Sequence, residues 1–240
     1  MRMSIAAALV AASAATSACN HADGHGGPTV SRNYQVGNFQ QIEVAGPYDV
    51  TIRTGANPGV SAQGSQKLLE RTVVVVQGDK LVIHPEEKHG IHFFSFTRGK
   101  ADFTVTVPRL SAATIAGSGN INLDHAQGDR FDGTVAGSGA LNVDRVDVGA
   151  LKLSIGGSGS AKAGAGKAQS ADYSIAGSGD IHAGAVDTQQ AKVSIAGSGN
   201  VKAHATGTAD VSIMGSGAVD VSGGAKCSVS KAGSGSVRCS

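Results

Sequence analysis

Residues 194–203, with the sequence SIAGSGNVKA, contain the pattern that decides the fold. Apolar and polar residues alternate on both sides of a central Gly-Ser-Gly, with Ile195 before it and Val201 after it. Alternation with a period of two, carried by β-branched residues, is typical of short strands with one buried face. Glycine accepts the positive φ of a tight bend, so Gly-Ser-Gly predicts a corner between two strands.

The same pattern recurs through the second half of the chain. The residue two before the motif is Ile or Val in six repeats and Lys231 in the last, and the residue four after its first glycine is always apolar. Units of constant length with apolar columns in phase predict a stack of coils, each pairing with the next. The first glycines of the motifs, spaced 20, 20, 20, 20, 18 and 18 residues apart, are Gly117, Gly137, Gly157, Gly177, Gly197, Gly215 and Gly233.

The repeats therefore predict an all-β fold, a parallel β-helix or solenoid with about 18–20 residues per coil over residues 111–240. The middle residue of each motif forms a column of serines along one corner, from Ser118 to Ser234. This column is either a ligand-binding stripe or a corner that needs a small polar residue. The second interpretation is favoured, because corners require such residues in any case.

The chain before the repeats also alternates, but less regularly. Residues 77–79, Gln-Gly-Asp, lie between two apolar runs and predict a hairpin turn. Pro108 is expected to end the last of these strands. This irregular N-terminal β segment is expected to cap one end of the solenoid. Its predicted strands cover residues 41–44, 48–52, 71–76, 80–83 and 103–107.

The N-terminus has the pattern of an export signal. Arg2 precedes a run of apolar and small residues at 5–15, which is too short to span a bilayer as a permanent helix. Residues 1–18 are predicted to be a signal peptide. Residues 19–35, which begin with a Gly-rich polar stretch, are predicted to be a flexible tether, and residues 36–240 the folded domain.

Cys19 follows Thr16-Ser17-Ala18 and resembles the cysteine of a bacterial lipobox, which is lipidated and becomes the new N-terminus. Thr16 stands where an aliphatic residue is usual, so cleavage near Ala18 with release of the chain is the alternative. Lipidation would attach the protein to a membrane. Asn20, rather than Asp, resembles an outer-membrane address, which predicts an outer-membrane lipoprotein of the cell envelope.

Cys227 and Cys239 lie twelve residues apart in the last repeat. A pair of cysteines in an exported chain predicts a disulfide, because that compartment is oxidising; two free buried thiols are the alternative. Both cysteines fall in columns that can face inward. The disulfide is therefore expected to close the C-terminal end, where a bare last coil would expose a strand edge.

Composition and motifs argue against several classes of function. The net charge is +2, with 20 basic and 18 acidic residues scattered along the chain, so no nucleic-acid partner is predicted. The serines of Gly-Ser-Gly lack the spacing of a nucleophile elbow. His89 and His92 have only Glu86 and Glu87 nearby in sequence to complete a metal site. No catalytic residue, cofactor or metal is predicted.

Residues 91–96 contain three of the six phenylalanines of the chain, Phe93, Phe94 and Phe96. The favoured expectation is a strand or loop packed over the core. The functional alternative is an exposed apolar patch for self-association or for a partner.

Three stretches resemble the bacterial head GIN domain family of autotransporter adhesins. They are residues 38–52 (NFQQIEVAGPYDVTI), residues 103–110 (FTVTVPRL) and residues 115–121 (IAGSGNI). The resemblance covers residues 36–240 in order and in spacing. It implies a right-handed β-helix, an exported or surface location and a role in adhesion.

The leading hypothesis is an exported, lipid-anchored interaction protein, an adhesin or surface binding module for a protein or glycan, and not an enzyme. One alternative is an enzyme that acts on carbohydrate, since some polysaccharide lyases are parallel β-helices. Such an enzyme would need charged side chains gathered over several coils, whereas outward positions are mainly Ser, Asn, Ala and isolated Lys or Asp. The other is a periplasmic structural protein that forms homo-oligomers through Phe93, Phe94 and Phe96.

Overall fold

The computed structural model describes residues 28–86 and 100–240, and about three quarters of these residues lie in β-strands. The strands form one continuous hydrogen-bonded sheet that winds into stacked coils, which confirms the predicted β-solenoid. Before the repeats come β1 (Thr29–Tyr34), β2 (Gln41–Ala45), β3 (Asp49–Thr54), β4 (Gly59–Ser65), α1 (Gln66–Leu69), β5 (Thr72–Gln77), β6 (Lys80–Pro85) and β7 (Ala101–Val107). The repeats contain β8 (Ala112–Gly117), β9 (Asn120–Gly137), β10 (Ala140–Gly157), β11 (Ser160–Gly177), β12 (Asp180–Ala183), β13 (Val186–Gly197), β14 (Asn200–His204), β15 (Thr208–Gly215), β16 (Ala218–Ser222), β17 (Lys226–Ala232) and β18 (Ser236–Cys239).

The strands before the repeats form the first coil and the N-terminal end of the stack. β2 and β3 pair in parallel with β8 and β9 of the repeats on one side, and with β6 and β7 on the other. The outermost strands are antiparallel: β5 pairs with β6, while β4 pairs with β7 and then with β1. Leu68 and Leu69 of α1 are buried in the core, so the helix covers apolar side chains at this end.

The repeats stack in register with the offsets that the sequence predicts. Leu141 pairs with Ile121 before it and Ala161 after it, an offset of 20 residues in each direction. Val201 pairs with Val219, an offset of 18 residues. Each coil therefore lays its residues directly above the equivalent residues of the previous coil.

The apolar columns form the core. Because successive residues of a strand point to opposite faces, alternate positions turn inward, and stacking repeats them along the solenoid. The column two before the motif is at most 3% exposed from Ile115 to Ile213. Larger side chains fill other columns, among them the fully buried Phe131 and Tyr173.

Gly-Ser-Gly forms the corner between coils, as predicted. The first glycine of each motif has a positive φ, for example +126° at Gly157. A Cβ on Gly157 would lie 2.5 Å from the carbonyl oxygen of Gly137 in the coil before it. The next residue, Ser158, donates its backbone N–H to that same oxygen at 3.0 Å. The corner therefore needs glycine both for its backbone angle and for the close contact between coils.

The last coil has no neighbour to cover it. Cys227 and Cys239 form a disulfide with a Cα–Cα distance of 6.7 Å. They continue the inward columns of Ala209 and Val221, so the bond lies across the open end, as expected. Lys231 continues the column of Ile213 but is exposed, and its Nζ donates to the carbonyl of Gly235 at 3.2 Å.

Two features differ from the sequence-based expectation. Residues 29–34 were expected in the flexible tether 19–35, but they form β1, which is paired with β4. The prediction is wrong here because most positions of β1 are polar and exposed, while only Val30 and Tyr34 pack against the core. The helix α1 was not predicted, since four residues are too few to show a helical period.

Candidate interaction surface

A shallow groove of about 530 Å³ crosses successive coils on the outside of the solenoid. It is lined by residues 147–149 of β10, 167–169 of β11 and 187–189 of β13, followed by Thr206 in the next coil. These ranges are equivalent in register, because Asp147 pairs with Lys167 and Lys167 with Asp187. The repeat therefore arranges the lining side chains in columns.

A second hollow of about 440 Å³ lies next to the first in sequence. In each coil, the residues that line it come directly after those that line the first hollow. Residues 150–152, 170–172 and 190–192 form most of its surface, with Thr208 and Asp210 in the next coil. We call the two hollows together the polar groove.

Charges alternate in sign along the polar groove. One column contains Asp147, Lys167 and Asp187, as the register places them. A second column lies in the second hollow, where basic and acidic residues also alternate from one coil to the next, starting at Lys152. Opposite charges on neighbouring strands attract one another, whereas like charges directly opposite are destabilising. The column in the second hollow is Lys152, Asp172, Lys192 and Asp210.

Asp147 is held in place by two partners. Its Oδ2 accepts a hydrogen bond from Arg145 Nε at 2.6 Å and lies 3.0 Å from His125 Nε2. The hydrogen bond from Arg145 is the largest cause that lowers the pKa of Asp147, while desolvation opposes it and His125 adds to the lowering. Asp147 is therefore an ionised, oriented acceptor at one end of the groove.

A Ser-His-Asp set lies at the other end. His204 Nδ1 is 3.1 Å from Ser222 Oγ, and His204 Nε2 is 3.6 Å from Asp187 Oδ1. The second distance is too long for a hydrogen bond, and the Asp187 side chain is 78% exposed. Ser222 Oγ also donates to the carbonyl of Ala203 at 3.3 Å. A nucleophilic site needs a base that is oriented by its third member, and these contacts do not provide that orientation.

The chemistry of the polar groove suits recognition of a polar ligand. Carboxylates accept hydrogen bonds, lysine ammonium groups donate them, and the carboxamides of Gln169, Gln189 and Gln190 do both. Most pockets for small molecules are lined mainly by apolar side chains and enclose their ligand. The groove is instead open to solvent and extends over several coils, with charged and carboxamide side chains along it, which fits an extended ligand.

Sequence reasoning did not identify this groove. In the linear sequence these Lys and Asp residues stand isolated, because the acidic and basic residues of each column lie 18 or 20 residues apart and alternate in sign. The signal was present in the aligned repeats, where Asp147, Lys167 and Asp187 share one position. The serine column, in contrast, was identified correctly as a column: its members are exposed at each corner, from Ser118 to Ser234.

The other predicted site residues fall into two groups. Cys227 and Cys239 are bonded to each other. The second group lies outside the described residues: Cys19, Phe93, Phe94, Phe96, His89 and His92.

Within residues 28–86 and 100–240, no helix is long and apolar enough to cross a membrane. The same part of the chain contains no group of three or more His, Cys, Asp or Glu side chains placed to hold a metal ion.

Solved structures of three bacterial proteins have the same fold. A structure from Bacteroides fragilis NCTC 9343, described as a "putative adhesin", has a TM-score of 0.79 at 22% identity and covers 89% of this chain and 97% of that chain. A "Putative lipid binding protein" from Parabacteroides distasonis ATCC 8503 has a TM-score of 0.70 at 23% identity, covering 91% and 98%. A "putative adhesin" from the same strain has a TM-score of 0.68 at 24% identity, covering 89% and 98%.

These structural likenesses show a shared fold. No curated protein matches the chain. The family model described as "Putative auto-transporter adhesin, head GIN domain" matches residues 38–225, which include the irregular β segment, most of the coils and the whole polar groove. The chain therefore belongs to the head GIN domain family.

Proposed function

We propose that this protein is an exported, lipid-anchored interaction protein of the cell envelope, which binds an extended polar ligand in the polar groove. The observation that carries the proposal is the groove itself, where carboxylates, ammonium groups and carboxamides repeat over successive coils and Asp147 is oriented by Arg145 and His125. Membership of a family described as adhesins supports a binding role. The lipobox-like Cys19 supports an anchor at the N-terminus.

The ligand class that fits the groove best is a glycan. A chain of hydroxyl groups can donate to Asp147 and Asp187, and can accept from Lys167. Because stacked strands lie about 4.8 Å apart, the groove offers equivalent partners at regular intervals to a repeating polymer. A polar protein segment is the alternative ligand.

The binding step is tested with the purified protein and a panel of immobilised bacterial and host polysaccharides. The triple variant Lys167→Ala, Gln169→Ala, Gln189→Ala should weaken binding at least about tenfold, equivalent to about 1.4 kcal/mol. The double variant Lys162→Ala, Lys202→Ala is the matched control, because both lysines are exposed on coils of the same stack and outside the groove. Equal loss in both variants, or binding unaffected by the triple variant, would contradict the proposal.

The same panel separates binding from catalysis. A polysaccharide that is recovered at its original length after incubation supports an interaction protein. Shortened products would favour the alternative of an enzyme that acts on carbohydrate.

The anchor and the location are tested on intact cells. We expect added protease to cleave the protein at the surface, and the Cys19→Ala variant to be lost from the cells into the medium or the periplasm. Protection of the wild-type chain on intact cells would contradict a surface role and would favour a periplasmic one. Equal retention of the Cys19→Ala variant would contradict the lipid anchor.

A further inference from the structure

Four strands lie at the two ends of the stack, and only one of them carries no charge. Among the described residues, β1 pairs only with β4, β5 only with β6, β17 only with β15, and β18 only with β16. Natural proteins protect such edges from unwanted pairing with charged side chains, lysine above all. The protected edges contain Arg32 in β1, Lys226 and Lys231 in β17, and Arg238 in β18.

The exception is β5, with the sequence TVVVVQ. Val74 and Val76 pack against the core, and the alternate residues Val73 and Val75 lie on the other face and are half-buried. A strand of this composition has high β-propensity and none of the features that discourage pairing.

The hairpin of β5 and β6 fixes which backbone groups point outward. Gln77 and Lys80 flank a two-residue loop and therefore form a hydrogen-bonded pair, after which such pairs alternate along the strands. The bond from Glu86 N–H to the Arg71 carbonyl at 2.7 Å follows this alternation. Accordingly, the N–H and C=O groups of Thr72, Val74 and Val76 point away from β6.

We propose that this outer edge pairs with β5 of a second copy of the protein, in a two-fold dimer joined end to end. A two-fold axis at Val74 makes the two strands antiparallel and places Thr72 opposite Val76 of the other copy. All three outward-pointing residues then exchange hydrogen bonds, two for each opposed pair. Val73 and Val75 come to lie opposite each other, so apolar side chains meet apolar side chains.

A second copy fits this edge better in the two-fold arrangement than in a head-to-tail one. Head-to-tail stacking would place β17 against β5, and Lys231 would then be buried over the valines without an opposite charge. A charge without a partner in an apolar contact is costly. The two-fold contact uses the same uncharged patch on both copies, closes after two subunits and leaves both C-terminal ends free.

The test measures the mass of the purified protein by sedimentation equilibrium at micromolar concentration. The wild-type protein should have twice the mass of the chain, and Val75→Lys, which places a charge on the edge strand, should have half of the wild-type mass. Val82→Lys is the matched control, because Val82 lies opposite Val75 in β6, on the same face but one strand in from the edge. Its mass should equal that of the wild-type protein.

Hydrogen exchange of the Thr72, Val74 and Val76 amides provides the second readout. These amides should exchange slowly in the dimer and at least tenfold faster in Val75→Lys. Slow exchange of the amides in the coils of Val75→Lys shows that the variant is folded. A wild-type monomer overturns the proposal, and slow exchange of these amides in that monomer would mean that the chain covers its own edge. A dimer that persists in Val75→Lys, or one that is equally lost in Val82→Lys, also overturns it. None of these outcomes depends on Cys19 or on the polar groove.

Discussion

At the scale of single residues, two buried tyrosines differ in whether their hydroxyl group has a hydrogen-bond partner. Tyr48 Oη lies 3.1 Å from Thr72 Oγ1, whereas Tyr173 Oη is buried without a hydrogen-bond partner among the described residues. Burial raises the pKa of both groups, because it disfavours the phenolate. A buried polar group without a partner loses its hydration without compensation.

Replacing Tyr173 by Phe should therefore increase the free energy of unfolding by about 1 kcal/mol, since the change removes only the unpartnered hydroxyl. Tyr48→Phe is the comparison, and it should decrease the same quantity by about 1 kcal/mol, because it leaves Thr72 with one partner fewer. Urea unfolding followed by circular dichroism measures both. Destabilisation by Tyr173→Phe would show that its hydroxyl does have a partner.

The carboxyl of Asp147 supplies a prediction about pH. Its pKa in the folded protein is lowered, first by the hydrogen bond from Arg145. A carboxyl with a lowered folded pKa stabilises the fold above its unfolded pKa, and this contribution is lost as the pH falls through the folded pKa. The loss should therefore fall in the acidic range, below the ordinary pKa of aspartate.

Carbon NMR of the side-chain carboxyl measures this directly. The titration midpoint of Asp147 should be lower than that of a free aspartate, and Arg145→Ala should move it upward. Arg130→Ala is the control, because Arg130 pairs with Asp132 instead, and it should leave the midpoint of Asp147 unchanged. A midpoint that does not respond to Arg145→Ala would contradict the assignment of the cause.

At the scale of the elements, the corner between coils contains two neighbouring glycines, of which one has no room for a side chain and the other has room for one. Gly157 has a φ of +126° and touches the coil before it, whereas Gly156 has nothing within 4 Å of an added Cβ. Other coils carry Ala136, Ala176 and Ala196 at the position of Gly156. Of these two neighbours, only Gly157, the first glycine of the motif, is therefore required by the geometry.

Gly157→Ala should lower the free energy of unfolding by roughly 1 to 3 kcal/mol, because alanine is strained at this φ and its Cβ meets the carbonyl of Gly137. Gly156→Ala should be neutral or slightly stabilising. Thermal unfolding of the two variants side by side gives the answer. If the two changes were equally harmful, the corner would not depend on the positive φ.

Several elements were predictable from the sequence because the same pattern of apolar residues and glycines recurs in each repeat, although one copy alone would not define the fold. Ile195 and Val201 would be ambiguous in a single strand, but their columns fix the coil, its inward face and its register. β1 was missed because Val30 and Tyr34 are its only core contacts, and α1 because it has a single turn. The polar groove was missed for a different reason: Asp147 and Lys167 become neighbours only after the chain has made one full coil.

At the scale of the whole molecule, the solenoid is held together mainly by contacts between adjacent coils. In such a stack, stability is nearly a sum over coils and their interfaces, so an end can open without the rest. The disulfide Cys227–Cys239 lies in the last coil, where most side chains are exposed. Its effect should therefore be local.

The double variant Cys227→Ser, Cys239→Ser should destabilise the last coil by roughly 2 to 3 kcal/mol on the chain-entropy model. Hydrogen exchange should accelerate in β17 and β18, while the amides of β9, β10 and β11 remain as slow as in the wild-type protein. Uniform acceleration along the whole chain would show instead that the solenoid opens as one cooperative unit.

The constant offset between coils also has an evolutionary consequence. Gly137, Gly157 and Gly177 stand at equivalent corners, each 20 residues from the next. Duplication or loss of the DNA that encodes one such interval would preserve the pairing between the remaining coils and leave both ends of the stack unchanged. It would change the reach of the molecule by about 4.8 Å, the distance between two strands. Changes in the number of repeats can therefore lengthen or shorten the protein in equal steps of one coil.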